Sequence, residues 1–371
     1  MIRFLSKANR VQLQGTALLR LDFNTRDDWR MRAVTPTIQL LLKRHAKIVI
    51  VSHRGRPNGV DKNLSLRKDA PMLRRLIKTP VRFIDHFRFA EIKKMVASAP
   101  AGSVFLLENL RFLKGEEEND AGLARHLASL ADFYVNDAFA VSHRADASVV
   151  AVTKFLPSFA GLEMEREIVS LGRVITHPKK PVVLILGGAK AGDKLGVIQY
   201  FKNKADWFLL GGGPANTILF LDGVDVGQSL RDSDPRDLKA LARIARFKNL
   251  VLPNPSGVVW KDDVILDIGA KAAAAFKKKI AIAGTIIWSG PMGLIEKPAY
   301  AHGSLAVARA IARNRRAFSV TGGGETVSFL KKHKLDTKFG FISTGGGAMV
   351  DFLAGEKLPG IAALAKAPAA R

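Results

Sequence analysis

Residues 181–186 read Pro-Val-Val-Leu-Ile-Leu, and residues 187–190 continue Gly-Gly-Ala-Lys. An unbroken apolar run of this length, with no polar alternation, fits a strand covered on both faces, as parallel sheets require. The glycines that follow fit a turn leaving the carboxyl end of that strand, where parallel α/β sheets bind ligands. The same pattern recurs along the chain. Candidate strands are Ala17–Phe23, Lys47–Ser52, Val81–Asp85, Ser103–Glu108 and Asp132–Asn136, then Pro181–Leu186, Asp206–Leu210, Leu250–Pro253, Thr285–Ser289, Ala317–Thr321 and Phe339–Ser343. Helical spacing separates them at Thr37–Arg44, Ala121–Leu130, Asp193–Lys202, Pro235–Arg246 and Ser304–Ala312. Strands alternating with helices predict an α/β protein built of βαβ units. Two sheets of five or six strands suit the length better than one large sheet.

The chain has 371 residues, which is long for one core and points to two or three domains. Pro157 and Gly161 mark a break, and the charged helical stretch Leu162–Val174 can join two lobes. The composition, 47% hydrophobic and 25% charged, is that of a soluble globular protein. The absence of cysteine excludes disulfides, thiolate catalysis, zinc–thiolate sites and iron–sulfur clusters. Met1–Gln14 has no continuous apolar run and no stretch is long enough to span a bilayer, so the expected location is the cytoplasm. The terminal Pro368–Arg371 is expected to fray.

The formal charge of +25 is spread over both halves of the chain. Such a field attracts anions in general, nucleic acid included. Aromatic residues are 8% of the chain and no recognised nucleic-acid motif is present, so a specific nucleic-acid partner is not expected, nor a membrane.

The two halves end their strands differently. In the first half the ends are charged: Asp22-Phe23-Asn24, His53-Arg54-Gly55-Arg56, Glu108-Asn109-Leu110-Arg111, and Asn136-Asp137 before His143-Arg144. One arginine at a strand end is most simply a rim salt bridge. Several such ends, with Arg30 nearby, suit a carboxylate or phosphate, because the guanidinium fork matches both. In the second half the ends are glycine: Gly187-Gly188, Gly211-Gly212-Gly213, Gly322-Gly323-Gly324, Gly345-Gly346-Gly347 and Ser289-Gly290-Pro291. Glycine lets backbone approach a ligand, and a helix N-terminus offers N–H groups to phosphate. With Lys190 and Lys194 beside one turn, these suit a nucleotide. Standard templates fail: Asp193 stands where a Walker motif needs lysine, and the dinucleotide fingerprint lacks its last glycine. The residues thus suggest an acidic metabolite on one lobe, a nucleotide on the other, and phosphoryl transfer with closure to exclude water.

The motifs, taken together and in order, resemble phosphoglycerate kinase over essentially the whole chain. They are Leu19–Asn24 (LRLDFN), Arg30–Ile38 (RMRAVTPTI), Ser52–Pro57 (SHRGRP), Leu106–Phe112 (LLENLRF), Tyr134–Phe139 (YVNDAF), His143-Arg144, Leu186–Lys194 (LGGAKAGDK), Gly211–Gly213, Trp288–Glu296 (WSGPMGLIE), Gly322–Thr326 (GGGET), Ser343–Ala348 (STGGGA) and Leu358–Leu364 (LPGIAAL). The resemblance implies two Rossmann-like lobes joined by a hinge helix. It assigns 1–156 to phosphoglycerate, 157–356 to nucleotide, and 357–371 to a segment returning to the first lobe. It implies reversible phosphoryl transfer between 1,3-bisphosphoglycerate and ADP, giving 3-phosphoglycerate and ATP, with Mg2+, or Mn2+ as an alternative, in a monomer.

Carried over residue by residue, the resemblance gives the phosphoglycerate site to Asp22, Phe23, Asn24, Arg30, His53, Arg54, Gly55, Arg56, Arg111 and Arg144. Nucleotide binding falls to Gly188, Ala189, Lys190, Lys194, Gly212, Pro291, Leu294, Glu296, Gly323, Gly324, Glu325 and Thr326, with Glu325 also on the metal. Catalysis falls to Arg30, Lys190 and the backbone of Gly345 and Gly346. The chain departs from the family at Glu325 (usually Asp), Ser289 (usually Asn), Asn254 (LPNP for LPVD), Ala140 (usually Gly) and Asp146 (usually His). The turn after Asn24 and the connection from Val258 to Leu266 look short. The retained arginines and lysines imply an active enzyme; the alternative is a binding protein that has lost the activity.

Overall fold

The computed structural model describes residues 1–25 and 28–368. Arg26 and Asp27 in the turn after Asn24, and the expected frayed tail beyond Pro368, lie outside the described residues. The chain packs into two compact units, Met1–Ile168 with the segment from Lys357 onward, and Val169–Glu356.

In the first unit β1 (Thr16–Arg20), β2 (Lys47–Val51), β3 (Val81–Ile84), β4 (Val104–Leu107), β5 (Phe133–Asn136) and β6 (Ser158–Ala160) form one parallel sheet in the order β3-β4-β2-β1-β5-β6. β1 and β5 are buried at every position, and β2 at all but its first residue, as the apolar runs predict for strands covered on both faces. The helix Trp29–Lys43 lays Met31, Val34, Ile38 and Leu41 against Leu19, Ile48 and Ile50. Their spacing is that of one helical face. The helix begins well before the expected Thr37, because this apolar stripe runs through Pro36, and its burial outweighs the hydrogen bond that proline removes.

β6 was not expected. Pro157 and Gly161 read as a break, yet Ser158–Ala160 pairs with β5 at the sheet edge. Three residues are too few to show a period, and a proline preceding a short edge strand costs the ladder nothing. The two compact units divide between Ile168 and Val169, inside the helix Leu162–Thr176. The helix Pro359–Lys366 packs within the first unit, where Gly360 N–H donates to Ser142 O at 2.9 Å.

In the second unit β7 (Val182–Leu186), β8 (Trp207–Leu210), β9 (Leu250–Val251), β12 (Thr285–Ser289), β13 (Phe318–Gly322) and β14 (Phe341–Ser343) form a second parallel sheet, ordered β14-β13-β12-β7-β8-β9. A separate antiparallel hairpin, β10 (Val259–Lys261) with β11 (Val264–Asp267), interrupts the helix–strand alternation. It turns at Asp262 and Asp263, both at positive φ (51° and 61°), the two-residue turn whose twist matches a hairpin. Without glycine or asparagine there, no hairpin was legible in the sequence. Val183, Ile185, Leu209, Ile286 and Trp288 of the sheet pack with Phe276 and Ile280 of the helix Gly269–Ile282.

Phe276 is completely buried in this cluster. Phe276→Ala is expected to destabilise the second unit by about 3–5 kcal/mol through lost burial and a residual cavity. Urea unfolding followed by circular dichroism will show this as a lowered midpoint, with a smaller drop for Phe276→Leu.

Candidate functional site

In the first unit the ends of β1, β2, β4 and β5 bring their polar residues together. Asp22, just past β1, accepts from Arg30 Nη1 at 2.6 Å and from Asn24 N–H at 2.7 Å. Asn24 Oδ1 in turn accepts from Gly55 N–H after β2, at 2.9 Å. Gly55 O accepts from Arg111 Nη1 at 2.5 Å, tying in the loop after β4. Phe23 is buried and its N–H donates to Ser52 Oγ. Gly55 has φ +64°, and a Cβ there would press on Leu64, so the turn needs glycine.

His53 lies at the centre. It is buried, and its Nδ1 is 3.2 Å from Arg20 Nη2. Burial first, then the positive charges of Arg20, Arg111, Arg144 and Arg30, push its pKa well below the usual value. A neutral imidazole beneath several guanidinium groups is a donor and acceptor that adds no further repulsion. Arg111 is almost wholly buried, and its pKa is lowered by burial and by Arg144. Its Nη2 lies 3.1 Å from Glu117 Oε1 without hydrogen-bond alignment, and its Nε has no hydrogen-bond partner among the described residues. Arg30 Nε is likewise buried and unpartnered. Arg144 Nη1 is 3.7 Å from the same Glu117 oxygen. The Glu117 side chain is half exposed, so an incoming anion can take its place between the two arginines.

Two predicted residues have other surroundings. Arg54 donates to Asp69 Oδ1 at 2.7 Å and to Thr25 O at 3.0 Å, so its guanidinium is already engaged. Arg56 is exposed on the loop after Gly55. Sequence reasoning overlooked Arg20 and the groups that hold it. Arg20 sits in the central strand β1, fully buried, with Ser148 Oγ at 2.8 Å and Leu21 O at 2.5 Å, and with Glu116 3.9 Å away. The available signal was a charged residue inside the apolar run Leu18–Leu21, which burial permits only with partners. Asp146 belongs to the same cluster; burial raises its pKa, while Arg20, Arg111 and Arg144 pull it down.

In the second unit a cavity of about 230 Å³ opens at the carboxyl ends of the strands. Of the predicted residues, Gly188, Ala189, Gly212, Pro291, Leu294, Glu296 and Glu325 line it. Its apolar wall includes Val258, Val264, Ile265 and Leu266, from the hairpin that the sequence did not reveal. Asn254, where the family has a carboxylate residue beyond it, caps the turn Pro255–Gly257 by accepting from Ser256 N–H at 3.0 Å.

The glycines divide into two kinds. A Cβ at Gly187, Gly212, Gly213 or Gly290 would overlap neighbouring atoms; the backbones of the Gly188, Gly212 and Gly290 turns pack directly on one another. Those glycines are explained by the fold. A Cβ at Gly323, Gly324 or Gly347 would meet nothing within 4 Å. Gly323 still needs glycine for its φ of +92°, but Gly324 and Gly347 have no such reason. They are the first residues of the helices Gly324–Lys332 and Gly347–Leu353.

Gly345 N–H donates to Ser343 Oγ at 3.0 Å, and Gly346 has φ +53° at the start of the second of these helices. Glu325, exposed, and Thr326, buried, lie in the first turn of the other. Lys194 is largely buried; burial lowers its pKa, opposed by Asp193 and Glu325. Lys190 is exposed and does not line the cavity. Its loop is held by Asp232, whose Oδ2 accepts from Ala191 and Gly192 N–H at 2.7 and 2.9 Å.

Comparison with known proteins shows the family over most of the chain. A family model described as phosphoglycerate kinase matches residues 10–356. Relatives include the phosphoglycerate kinases of Dictyoglomus turgidum, 41% identical with 94% of each chain covered, and of Acidobacterium capsulatum, 42% identical with 93% of this chain and 95% of the relative covered. Among solved structures, phosphoglycerate kinase from Coxiella burnetii superposes with TM-score 0.84 at 32% identity over 99% of both chains. The enzyme from Pyrococcus horikoshii gives TM-score 0.85 at 31% identity over 98% of both.

Because its folded pKa is depressed, His53 is expected to stay neutral as pH falls from about 7.5 to about 6, where an ordinary imidazole takes up a proton. The unfolded chain then binds more protons than the folded one. The stability contribution is therefore complete above the unfolded value of about 6.5 and declines as pH falls below it. Titration of the histidine Cε1 proton by NMR checks the first expectation, and urea midpoints across the same range check the second.

Proposed function

We propose a residue-level assignment for this chain, which belongs to the phosphoglycerate kinase family and catalyses reversible phosphoryl transfer between 1,3-bisphosphoglycerate and ADP, giving 3-phosphoglycerate and ATP in glycolysis. The observation that carries the assignment is the contrast between the two strand-end sites: buried guanidinium nitrogens of Arg30 and Arg111 without a hydrogen bond among the described residues in one unit, and a glycine-walled cavity in the other.

Phosphoglycerate binds the first unit. Arg111 and Arg144 receive its anionic groups in place of Glu117, His53 adds a neutral contact, and Asp22, Phe23, Asn24 and Gly55 shape the pocket. Asp22 holds Arg30 through the 2.6 Å contact and leaves Nε of Arg30 for the transferring phosphoryl group. Arg54 and Arg56 complete the loop, the first as a support through Asp69. The acceptor is itself a carboxylate or phosphate oxygen, so no general base is required.

The nucleotide binds the second unit. Base and ribose enter the apolar cavity, with Glu296 on the ribose hydroxyls. The phosphates lie at the open helix starts of Gly323, Gly324, Thr326, Gly345 and Gly346, with Lys190 and Lys194 as counter-charges. No cluster of three or more His, Cys, Asp or Glu suited to a metal occurs among the described residues. Glu325, one of the carboxylates that line the cavity, with Glu296 assigned to the ribose, fits a cation that arrives largely on the phosphates, as Mg2+ does, with Mn2+ as the alternative. When bound, that ion neutralises phosphate charge. No helix of the described residues is long and apolar enough to cross a membrane. We place the enzyme in the cytoplasm as a monomer.

Arg30→Ala is expected to lower kcat by about 10²–10³-fold with little change in the KM for ATP. Equal loss of nucleotide affinity would remove Arg30 from the transfer step. Lys190→Ala is expected to lower kcat comparably and to leave 3-phosphoglycerate binding intact. A coupled assay from 3-phosphoglycerate and ATP, with the metal varied, and calorimetric binding of each substrate read both outcomes. A folded wild-type chain inactive with either metal would favour the non-catalytic alternative.

A further inference from the structure

The turn that carries Lys190 is held from both sides within the second unit. Before the lysine, Gly188 N–H donates to Pro291 O at 2.7 Å, and Gly188 O accepts from Gly213 N–H at 2.8 Å. After it, Asp232 Oδ2 accepts from Ala191 N–H at 2.7 Å and from Gly192 N–H at 2.9 Å. Ala191 O accepts in turn from Lys194 N–H at 2.8 Å, so the same turn carries the second lysine. A Cβ at Gly192 would overlap the carboxylate of Asp237, from the helix Pro235–Ile244.

Asp232 is itself tied back to the start of this circuit. Its own N–H donates to Thr217 Oγ1 at 3.0 Å, and that hydroxyl donates to Gly213 O at 2.7 Å. Gly213 N–H then closes the ring on Gly188 O. Thr217 is completely buried within the helix Gly212–Leu221. A threonine inside a helix often bonds the carbonyl one turn back. This one also receives a loop from later in the chain. Leu230 O, just before Asp232, accepts from Asn216 Nδ2 of the same helix at 3.1 Å. The loop is thus fastened to one helix and fastens the lysine turn.

The Lys190 side chain is exposed, and what the fold fixes is the backbone on either side of it. An ammonium on a flexible stem has no geometry of its own, so the place of its Cα sets what it can reach. Asp232 puts a negative charge beside a turn assigned to phosphate. Two backbone N–H groups engage that charge, which keeps it from opposing an anion.

We propose that Asp232, with Thr217, is a positioning residue for phosphoryl transfer: it fixes the backbone from which Lys190 reaches the phosphoryl group. The inference rests on the reading above, in which Lys190 is a counter-charge in transfer. A misplacement of about 1 Å at such a group can cost about a hundredfold in rate.

The test is a double-mutant cycle between Asp232 and Lys190 in the full-length enzyme. Asp232→Ala is expected to lower kcat by about 10–100-fold, with the calorimetric affinity for 3-phosphoglycerate within about twofold of wild type. In the Lys190→Ala background the same change is expected to alter kcat by less than about threefold, because a residue that acts through Lys190 has nothing left to position. Asp232→Asn keeps an acceptor oxygen for the two N–H groups and is expected to recover most of the loss. Thr217→Val, which leaves Asp232 N–H unpaired, is expected to fall between them, and Thr217→Ser to restore kcat.

An unchanged kcat in Asp232→Ala would overturn the proposal. So would losses that multiply in the double variant, which would show general damage to the fold, or a loss of 3-phosphoglycerate affinity. Failure of Asp232→Asn to recover activity would assign the effect to charge and overturn the positioning role. Should Asp232→Ala not fold, Thr217→Val against Thr217→Ser, each with and without Lys190→Ala, decides by the same criteria. An unchanged kcat in Lys190→Ala would refute the reading of Lys190 and the proposal with it, whereas a Lys190-dependent enzyme indifferent to Asp232 refutes the proposal alone.

Discussion

A parallel sheet covered on both faces leaves polar chemistry few places to go. Its strands are apolar along their length, and its helices bury one stripe and expose the other. The carboxyl ends of the strands are where loops leave the core and helices begin, so N–H groups and side chains can meet a ligand there without crossing the core. Both sheets of this protein obey that constraint. The residues proposed for the site follow β1, β2, β4 and β5 in one unit and β7, β8, β12, β13 and β14 in the other.

The two units meet the constraint with opposite chemistry. The first collects positive charge, which repels itself. Its stability depends on neutralising partners placed just outside the anion site: Asp22 on Arg30, Asp69 on Arg54, and Glu116 and Ser148 around Arg20. A neutral His53 avoids one further charge among them. The second unit relies on backbone. Its turns at Gly187, Gly212, Gly213 and Gly290 pack so tightly that no side chain fits, while a side chain at Gly324 or Gly347 would meet open space. A glycine pressed by neighbours is required by the packing of the turn.

Much of the candidate site was legible because it is written in motifs that stay local in sequence. Asp22, Asn24 and Arg30 all flank one strand end, and Gly322–Thr326 and Ser343–Ala348 each make one turn. The departures read less well. Asn254 read only as a departure from the motif LPVD, and the structure shows it capping a short turn. The hairpin Val259–Asp267 was invisible because its turn uses two aspartates at positive φ, yet it supplies much of the apolar cavity wall. β6 was hidden by its length and by Pro157, which reads as a break in the chain.

The sequence by itself determined the two parallel sheets, their approximate strands, the charged and glycine-rich strand ends, and the family to which these belong. Apolar runs and turn residues act over a few positions, so their meaning survives without coordinates. Only the tertiary structure decided that Arg20 lies buried among Ser148, His53 and Glu116, that Arg54 is spent on Asp69, and that Asp232 holds the turn after Lys190. Each of these joins residues far apart in the chain. Burial and partnership set the cost of a charge, and both are properties of the packed structure rather than of any stretch of sequence.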